Sequence, residues 1–355
     1  MGAPSNLLYV GTYTRHGRSE GIHVFAHDPD TGRLTHRSEV IEQDPSFLAF
    51  DPERKFLFAC SEGLTTNTGA VASFSIDPRT GALAHLSRRS TRGGEPCHLC
   101  TDPTGSFLIV ANHENGSVAV LPINSDGRLE DISDFHQHTG SGPGPTQKGP
   151  HAHHVTFDPA GQRVLVTDKG IDQVVIYRLD SASGKLVPND PPFGRIHAGA
   201  APRHLAFGHD GQFAYVNGEA DMTLAACSYD ASSGTLTELH SVSTLPAGAG
   251  NSGWSTAELA VAPSGNTAYV SNRGHDSIAI FSIDSSTGRV TPVGHASTGG
   301  RTPRNFAIDP TGRRLYAANQ ESDTIVHFDI DQRTGQLTPN GDVTSLGAPV
   351  CLLFS

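Results

Sequence analysis

Long apolar runs are missing from this 355-residue sequence. No stretch approaches the ~18 consecutive apolar residues of a membrane-spanning helix, so no membrane partner is expected. The N-terminal stretch Met1 to Val10 has no basic region followed by an extended apolar segment, so no secretory leader is expected. Charge is scarce at 17% of residues, and positive charge scarcer, with 25 Lys and Arg against 36 Asp and Glu and a net charge of -11. That excludes a general nucleic-acid binder and leaves room only for a local basic cluster that takes a small anion. Cysteine is sparse and odd in number: Cys60, Cys97, Cys100, Cys227 and Cys351. Their scatter fits reduced, mostly buried thiols of a soluble cytoplasmic protein rather than a disulfide framework. Cys97 and Cys100 have C-x-x-C spacing, yet they sit inside an apparent strand with no second pair, which speaks against a metal or redox pair.

Turn residues are plentiful, with 39 Gly and 23 Pro, and they are periodic. A short apolar strand followed by a turn recurs about every 50 residues, the period of a four-stranded propeller blade. The copies are Pro45-Ser46-Phe47-Leu48-Ala49-Phe50-Asp51-Pro52, Pro96-Cys97-His98-Leu99-Cys100-Thr101-Asp102-Pro103 and His153-His154-Val155-Thr156-Phe157-Asp158-Pro159. They continue as Pro202-Arg203-His204-Leu205-Ala206-Phe207-Gly208-His209, Thr256-Ala257-Glu258-Leu259-Ala260-Val261-Ala262-Pro263 and Pro303-Arg304-Asn305-Phe306-Ala307-Ile308-Asp309-Pro310. Each is followed by a second strand, an alternating third strand such as Ser277–Asp284, a Thr-Gly or Ser-Gly turn, and a short fourth strand. Glycine at that turn supplies the positive φ a tight hairpin requires.

Six full units leave half-units at the ends. Ala348–Phe354 reads as an inner strand with nothing after it, and Leu7–Tyr13 as a second strand with nothing before it. Joined, they form a seventh blade and hide two sheet edges. The expected fold is all-β: one seven-bladed β-propeller domain over residues 1–355, its ring closed by N- and C-terminal strands in one blade. Gly140-Ser141-Gly142-Pro143-Gly144-Pro145 is expected to be a surface loop beside the entrance to the fourth inner strand.

An inner strand and its antiparallel second strand share a turn at one end, so the inner-strand entrance and the second-strand exit share the opposite face. The entrance positions are Ser46, Cys97, His153, Arg203, Ala257, Arg304 and Val350. The exit positions are Tyr13, Glu62, His113, Lys169, Glu219, Arg273 and Gln320. One residue before each exit stand Thr12, Ser61, Asn112, Asp168, Gly218, Asn272 and Asn319. Large, differing polar residues concentrate on this face, whereas the opposite turns carry interchangeable sequences. Repetition alone does not demand that, but a binding site does. His98, His154 and His204 share the next strand position and read as packing or polar-layer residues. His151 and His153 lack companion ligands at zinc spacing, so no metal and no cofactor is expected. Tyr13, Glu62 and Lys169 read as rim residues.

The motifs Gly140-Ser141-Gly142-Pro143, Pro150-His151-Ala152-His153, Ala201-Pro202-Arg203-His204, Ala257-Glu258-Leu259, Ser271-Asn272-Arg273-Gly274-His275-Asp276-Ser277-Ile278, Pro303-Arg304-Asn305-Phe306 and Ala318-Asn319-Gln320 resemble the lactonase family of seven-bladed propellers. That family includes 6-phosphogluconolactonases and carboxy-cis,cis-muconate cyclases. The resemblance implies a catalytic set of His153, Arg203, Glu219 and Arg273. Two departures stand out. Asn217-Gly218-Glu219 moves the usual Asn one residue from the Glu, and Asp168-Lys169-Gly170 adds a cation.

The activity implied is hydrolysis of an anionic sugar-acid lactone, 6-phosphogluconolactone to 6-phosphogluconate first, as in the pentose phosphate pathway. Glu219 or His153 takes the water proton if its pKa is held near ~7. Arg203 and Arg273 polarise the carbonyl or grip the anion. His151, Asn112, Asn272, Arg304, Asn319 and Gln320 are expected to bind substrate. The alternatives are a muconate cyclase and a non-catalytic protein-binding propeller.

Overall fold

Each repeat folds into four antiparallel strands that run outward from the axis in chain order. The computed structural model describes residues 2, 4–15, 17–62, 69–250 and 253–355. Met1 and Ala3, part of the stretch read for a leader, lie outside the described residues. Among the described residues there are 28 strands and no helix, arranged as seven four-stranded sheets. Blade 1 orders its strands Pro349–Phe354, Leu7–Thr12, Gly21–His27, Leu34–Ile41. Its closing pair is antiparallel, with Leu8 opposite Phe354 and Gly11 opposite Cys351. Blades 2 to 7 begin at Pro45, Pro96, Ala152, Pro202, Ser255 and Pro303.

Burial explains the strand sequences. The second strands lie between neighbouring blades and are covered on both faces, so Phe107–Asn112 is buried throughout. The outermost strands meet solvent, and Leu34–Ile41 buries only Leu34. The core is therefore not at the axis but between blades. Leu165 and Val174 of blade 4, for example, pack with Leu205 and Val216 of blade 5. Each such side chain contributes about 1.5–3 kcal/mol by leaving water. Tyrosines tie successive blades: the Tyr9 hydroxyl donates to Gly81 O, Tyr269 to Gly335 O and Tyr316 to Gly32 O, each at 2.9 Å.

The Asp-Pro turns fix the face opposite the predicted site. Asp102 Oδ1 accepts the amides of Ser106 and Phe107 at 2.7 Å, and Gly105 takes a left-handed φ of 73°. Asp158 and Asp309 make the same turn.

Candidate active site

Main-chain bonding sets the geometry of the site. The residue before the inner strand is left-handed in five blades: Asp44, Glu95, Ala201, Thr302 and Ala348, with φ of 42°, 50°, 56°, 57° and 41°. In each of those blades its carbonyl accepts the amide of the exit residue, from Glu62, His113, Glu219, Gln320 and Tyr13 at 3.0–3.2 Å. Blade 4 does the same with Lys169 N and His151 O at 3.0 Å. Six exit residues are thus held by their amides, and of these all but Gln320 project their side chains over the channel mouth. Glu219 keeps this register, so the displaced Asn217 does not move it. Asn217 instead accepts the His204 amide and donates to Ala257 O.

The cavity they enclose has a volume of about 260 Å³ and is walled by Tyr13, Arg15, Glu62, Glu95, Cys97, His113, His153, Lys169, Arg203, Glu219, Arg273 and Arg304. All but Arg15 and Glu95 occupy the two predicted rings. His153, Arg203, Glu219 and Arg273, drawn from three consecutive blades, do come together.

Glu219 is the electrostatic hub. Lys169 Nζ donates to its Oε1 at 2.7 Å. Arg203 Nε and Arg273 Nη2 lie 3.0 and 3.4 Å from its Oε2. The Arg203 Nε–H is not aimed at that oxygen, so this is an ion pair without a directed hydrogen bond. Burial raises the Glu219 pKa, but Lys169, Arg273 and Arg203 outweigh it and hold the carboxyl well below its usual range. Other contacts orient both arginines: Arg203 Nη1 donates to Ala257 O at 2.6 Å, and Arg273 Nη2 to Thr256 O at 2.7 Å.

His153 is a neutral base in a cationic setting. Burial, then Arg203 and Lys169, hold its pKa well below the ordinary histidine value. His113 bridges the other wall, with Nε2 3.3 Å from Lys169 Nζ and Nδ1 3.1 Å from Glu95 Oε2. Facing an ammonium, Nε2 must be the acceptor, so Nδ1 carries the proton and donates to Glu95. Arg15 bonds Glu62 and lies 3.3 Å from Asp44. Arg304 differs from the other cations. Among the described residues its guanidinium has no hydrogen-bond or carboxylate partner, and it lies 5.2 Å from the Tyr13 ring centre.

A polar layer lies next along the inner strands, as expected for His98, His154 and His204. His98 sits 4.0 Å from His154 and 3.8 Å from Phe47, ring to ring. His204 bonds Glu258 at 2.7 Å and meets Arg203 Nη1 at 3.0 Å.

Several expectations need correction. Asn112, Asn272 and Asn319 are fully buried and do not reach the cavity. Their amides are consumed locally, Asn272 on Thr244 O and Asn319 on Thr298 O, where one blade connects to the next. Gln320 bonds its neighbour Glu321 outside the cavity. His151 stands behind the wall, its Nδ1 2.9 Å from His113 O and its ring stacked on His113. Neither proposed base is tuned near neutrality: the cations outweigh burial and hold Glu219 down, while burial, then the cations, holds His153 down. Conversely, Tyr13, Glu62 and Lys169 are cavity walls rather than a rim. Their signal was present in the exit ring, which named all three along with His113. Arg15 and Glu95 occupy no ring position, and no sequence pattern marked them.

A polar, cation-rich axial pocket in a seven-bladed ring defines the class, and the chain belongs to the lactonase, 7-bladed beta-propeller family, whose profile matches residues 7–354. The chain is 34% identical over 304 residues to the 6-phosphogluconolactonase of Bacillus subtilis (strain 168), covering 84% of this chain and 83% of that one. It is 31% identical over 303 residues to the 6-phosphogluconolactonase of Formosa agariphila, covering 84% and 85%. In structure it resembles the periplasmic gluconolactonase of Pseudomonas aeruginosa, with a TM-score of 0.93, 33% identity and 98% of each chain covered.

Proposed function

We propose that this chain, as one domain, hydrolyses a sugar-acid lactone bearing an anionic group, with 6-phosphogluconolactone the first candidate. The observation that carries the reading is Arg304, a cavity cation that among the described residues makes no direct ion pair or hydrogen bond, beside an otherwise paired set. It is the natural seat for a phosphate or carboxylate. The names of the relatives support lactone opening as the reaction.

Hydrolysis needs a water proton removed and an oxyanion stabilised. Both Glu219 oxygens already face cations, so His153 is the better proton acceptor. Burial, then Arg203 and Lys169, depress its basicity, and an arriving anion offsets the two cations. Arg203 and Arg273 then face the developing oxyanion, and Glu219 holds their positions. No cofactor enters this scheme.

The idle Asn and Gln residues favour a second reading, cyclisation of a polycarboxylate, which has no hydroxyls for them to bind. Glu62 and Glu95 weigh against it. Carboxylates in the wall accept hydrogen bonds from sugar hydroxyls and repel further carboxylates. The five unpaired thiols support a reducing compartment such as the cytoplasm.

The deciding experiment measures acid release from 6-phosphogluconolactone, unphosphorylated gluconolactone and a carboxymuconolactone, corrected for spontaneous opening. Faster turnover of the phosphorylated lactone is expected. Turnover of the muconate compound alone would transfer the assignment to the cyclase.

A further inference from the structure

The outer half of blade 1 holds a cluster that lactone chemistry leaves unused. His23 lies on the strand Gly21–His27, and His36 and Glu39 on its neighbour Leu34–Ile41. Residues three apart on a regular strand face opposite ways. Here the register shifts: Val24 pairs with Ser38 and Phe25 with His36, which leaves Arg37 as an extra residue. The bulge turns His36 and Glu39 to one side, with His23 directly opposite Glu39. The same bulge in blade 2 assembles Ala72, His85 and Arg88. The bulge is therefore architectural, and the His, His, Glu set is not.

The donor atoms converge. His23 Nδ1 lies 3.4 Å from His36 Nε2 and 3.2 Å from Glu39 Oε2, and His36 Nε2 lies 3.8 Å from that oxygen. Ligands about 2.0–2.2 Å from a tetrahedral zinc stand roughly 3.3–3.6 Å apart.

A hydrogen-bond relay orients His23 from behind. Its Nε2 meets Ser19 Oγ at 2.8 Å, Ser19 Oγ meets Thr12 Oγ1 at 2.9 Å, and Thr12 Oγ1 meets Gly21 O at 2.6 Å. Thr12 is placed to donate to Ser19 Oγ and to Gly21 O, and Ser19 Oγ fixes the His23 ring through Nε2. His23 Nδ1 then faces His36 Nε2 and Glu39 Oε2 on the open side. Metal-bound histidines are characteristically held through their other ring nitrogen in this way. Phe25 holds the His36 ring edge-on at 5.2 Å. The His36 and Glu39 side chains are 47% and 51% exposed, so solvent reaches a fourth position.

We propose that His23, His36 and Glu39 bind a first-row divalent metal ion, Zn2+ being the best match, with water as the fourth ligand. The ion clips the two outer strands of the closing blade and takes no part at the axial pocket.

Metal-free protein titrated with Zn2+ by calorimetry, and with Co2+ by visible spectroscopy, tests the site. One equivalent per chain and the absorption of four-coordinate Co2+ are expected. His36→Ala and Glu39→Gln, both at exposed positions, should abolish that signal while melting at the parent temperature without metal. Ser19→Ala should weaken affinity about ten- to a hundredfold by releasing His23. Unchanged affinity and stoichiometry in the double variant His36→Ala, Glu39→Gln would overturn the proposal, as would a purely six-coordinate Co2+ spectrum. Lactone turnover by the metal-free protein tests the pocket separately and is expected to be undiminished.

Discussion

Arg304 and Glu219 do opposite jobs in one small cavity. Glu219 is saturated by three cations and organises them, while Arg304, without a direct ion-pair partner among the described residues, is the proposed seat of the ligand's anionic group. Arg304→Ala should therefore raise KM for the phosphorylated lactone about ten- to a hundredfold, the worth of a charged hydrogen bond at about 1.5–3 kcal/mol. It should change kcat less, and steady-state kinetics separates the two. The sequence alone ranks this residue below Arg203, because Arg304 lies one blade beyond the three consecutive blades that carry His153, Arg203, Glu219 and Arg273. Only the pairing of the other cavity cations shows that, among the described residues, Arg304 is the one without a direct ion pair. His153→Ala should mainly lower kcat. Because burial and nearby cations lower the His153 pKa from 6.5, the base stays unprotonated through neutrality. The profile of kcat/KM should be level from about pH 6 to 8 and fall only in more acid solution. An acid limb centred on the ordinary histidine value would remove His153 from this role.

Blade elements explain what could and could not be foreseen. Strand order, the Asp-Pro turns and the two rings were legible, because the repeat places equivalent residues at equivalent points and one sequence carries six full copies for comparison. Direction of side chains beyond the strand ends was not. Asn112, Asn272 and Asn319 follow the strand alternation into the blade, Asn112 onto Ser117, Asn272 onto Thr244 O and Asn319 onto Thr298 O, while His113 and Arg273, the residues after the first two, turn into the cavity. Their polarity looked like substrate recognition and is instead structural bonding. Asn272→Ala should cost about 0.5–1.5 kcal/mol of stability by removing one of the two hydrogen bonds to Thr244 O, the other coming from His295 Nε2, and leave KM unchanged. Thermal melting and kinetics on one variant check both halves. Arg15 escaped notice because it reaches the cavity from a loop, where no period governs position, and Glu95 because its repeated place just before the inner strand lay outside the two rings considered.

For the whole molecule, closure is the first consequence. The strand Pro349–Phe354 is the inner strand of blade 1, and Leu352 N also bonds Asn305 Oδ1 of blade 7 at 2.9 Å. Removing residues after Gly347 should expose edges on both sides and sharply lower melting temperature or soluble yield. Acid sensitivity is the second. Burial lowers the pKa of His98, His153, His154 and His204 from the ordinary value of 6.5. Below that value the unfolded chain takes up protons that the folded one refuses, so stability falls as pH falls. Each histidine contributes up to about 1.4 kcal/mol per pH unit until its folded value is reached. Calorimetric melts at pH 7 and pH 5 should show the loss, and His154→Leu should shallow it. A final consequence follows from the amide bonds that join six of the seven exit residues to their blades. The structural obligation at those positions is met by the peptide N–H, which every residue but proline possesses. The side chain is therefore an interchangeable fitting in a fixed socket. Such a ring can be re-keyed to another ligand one blade at a time, with the scaffold never consulted.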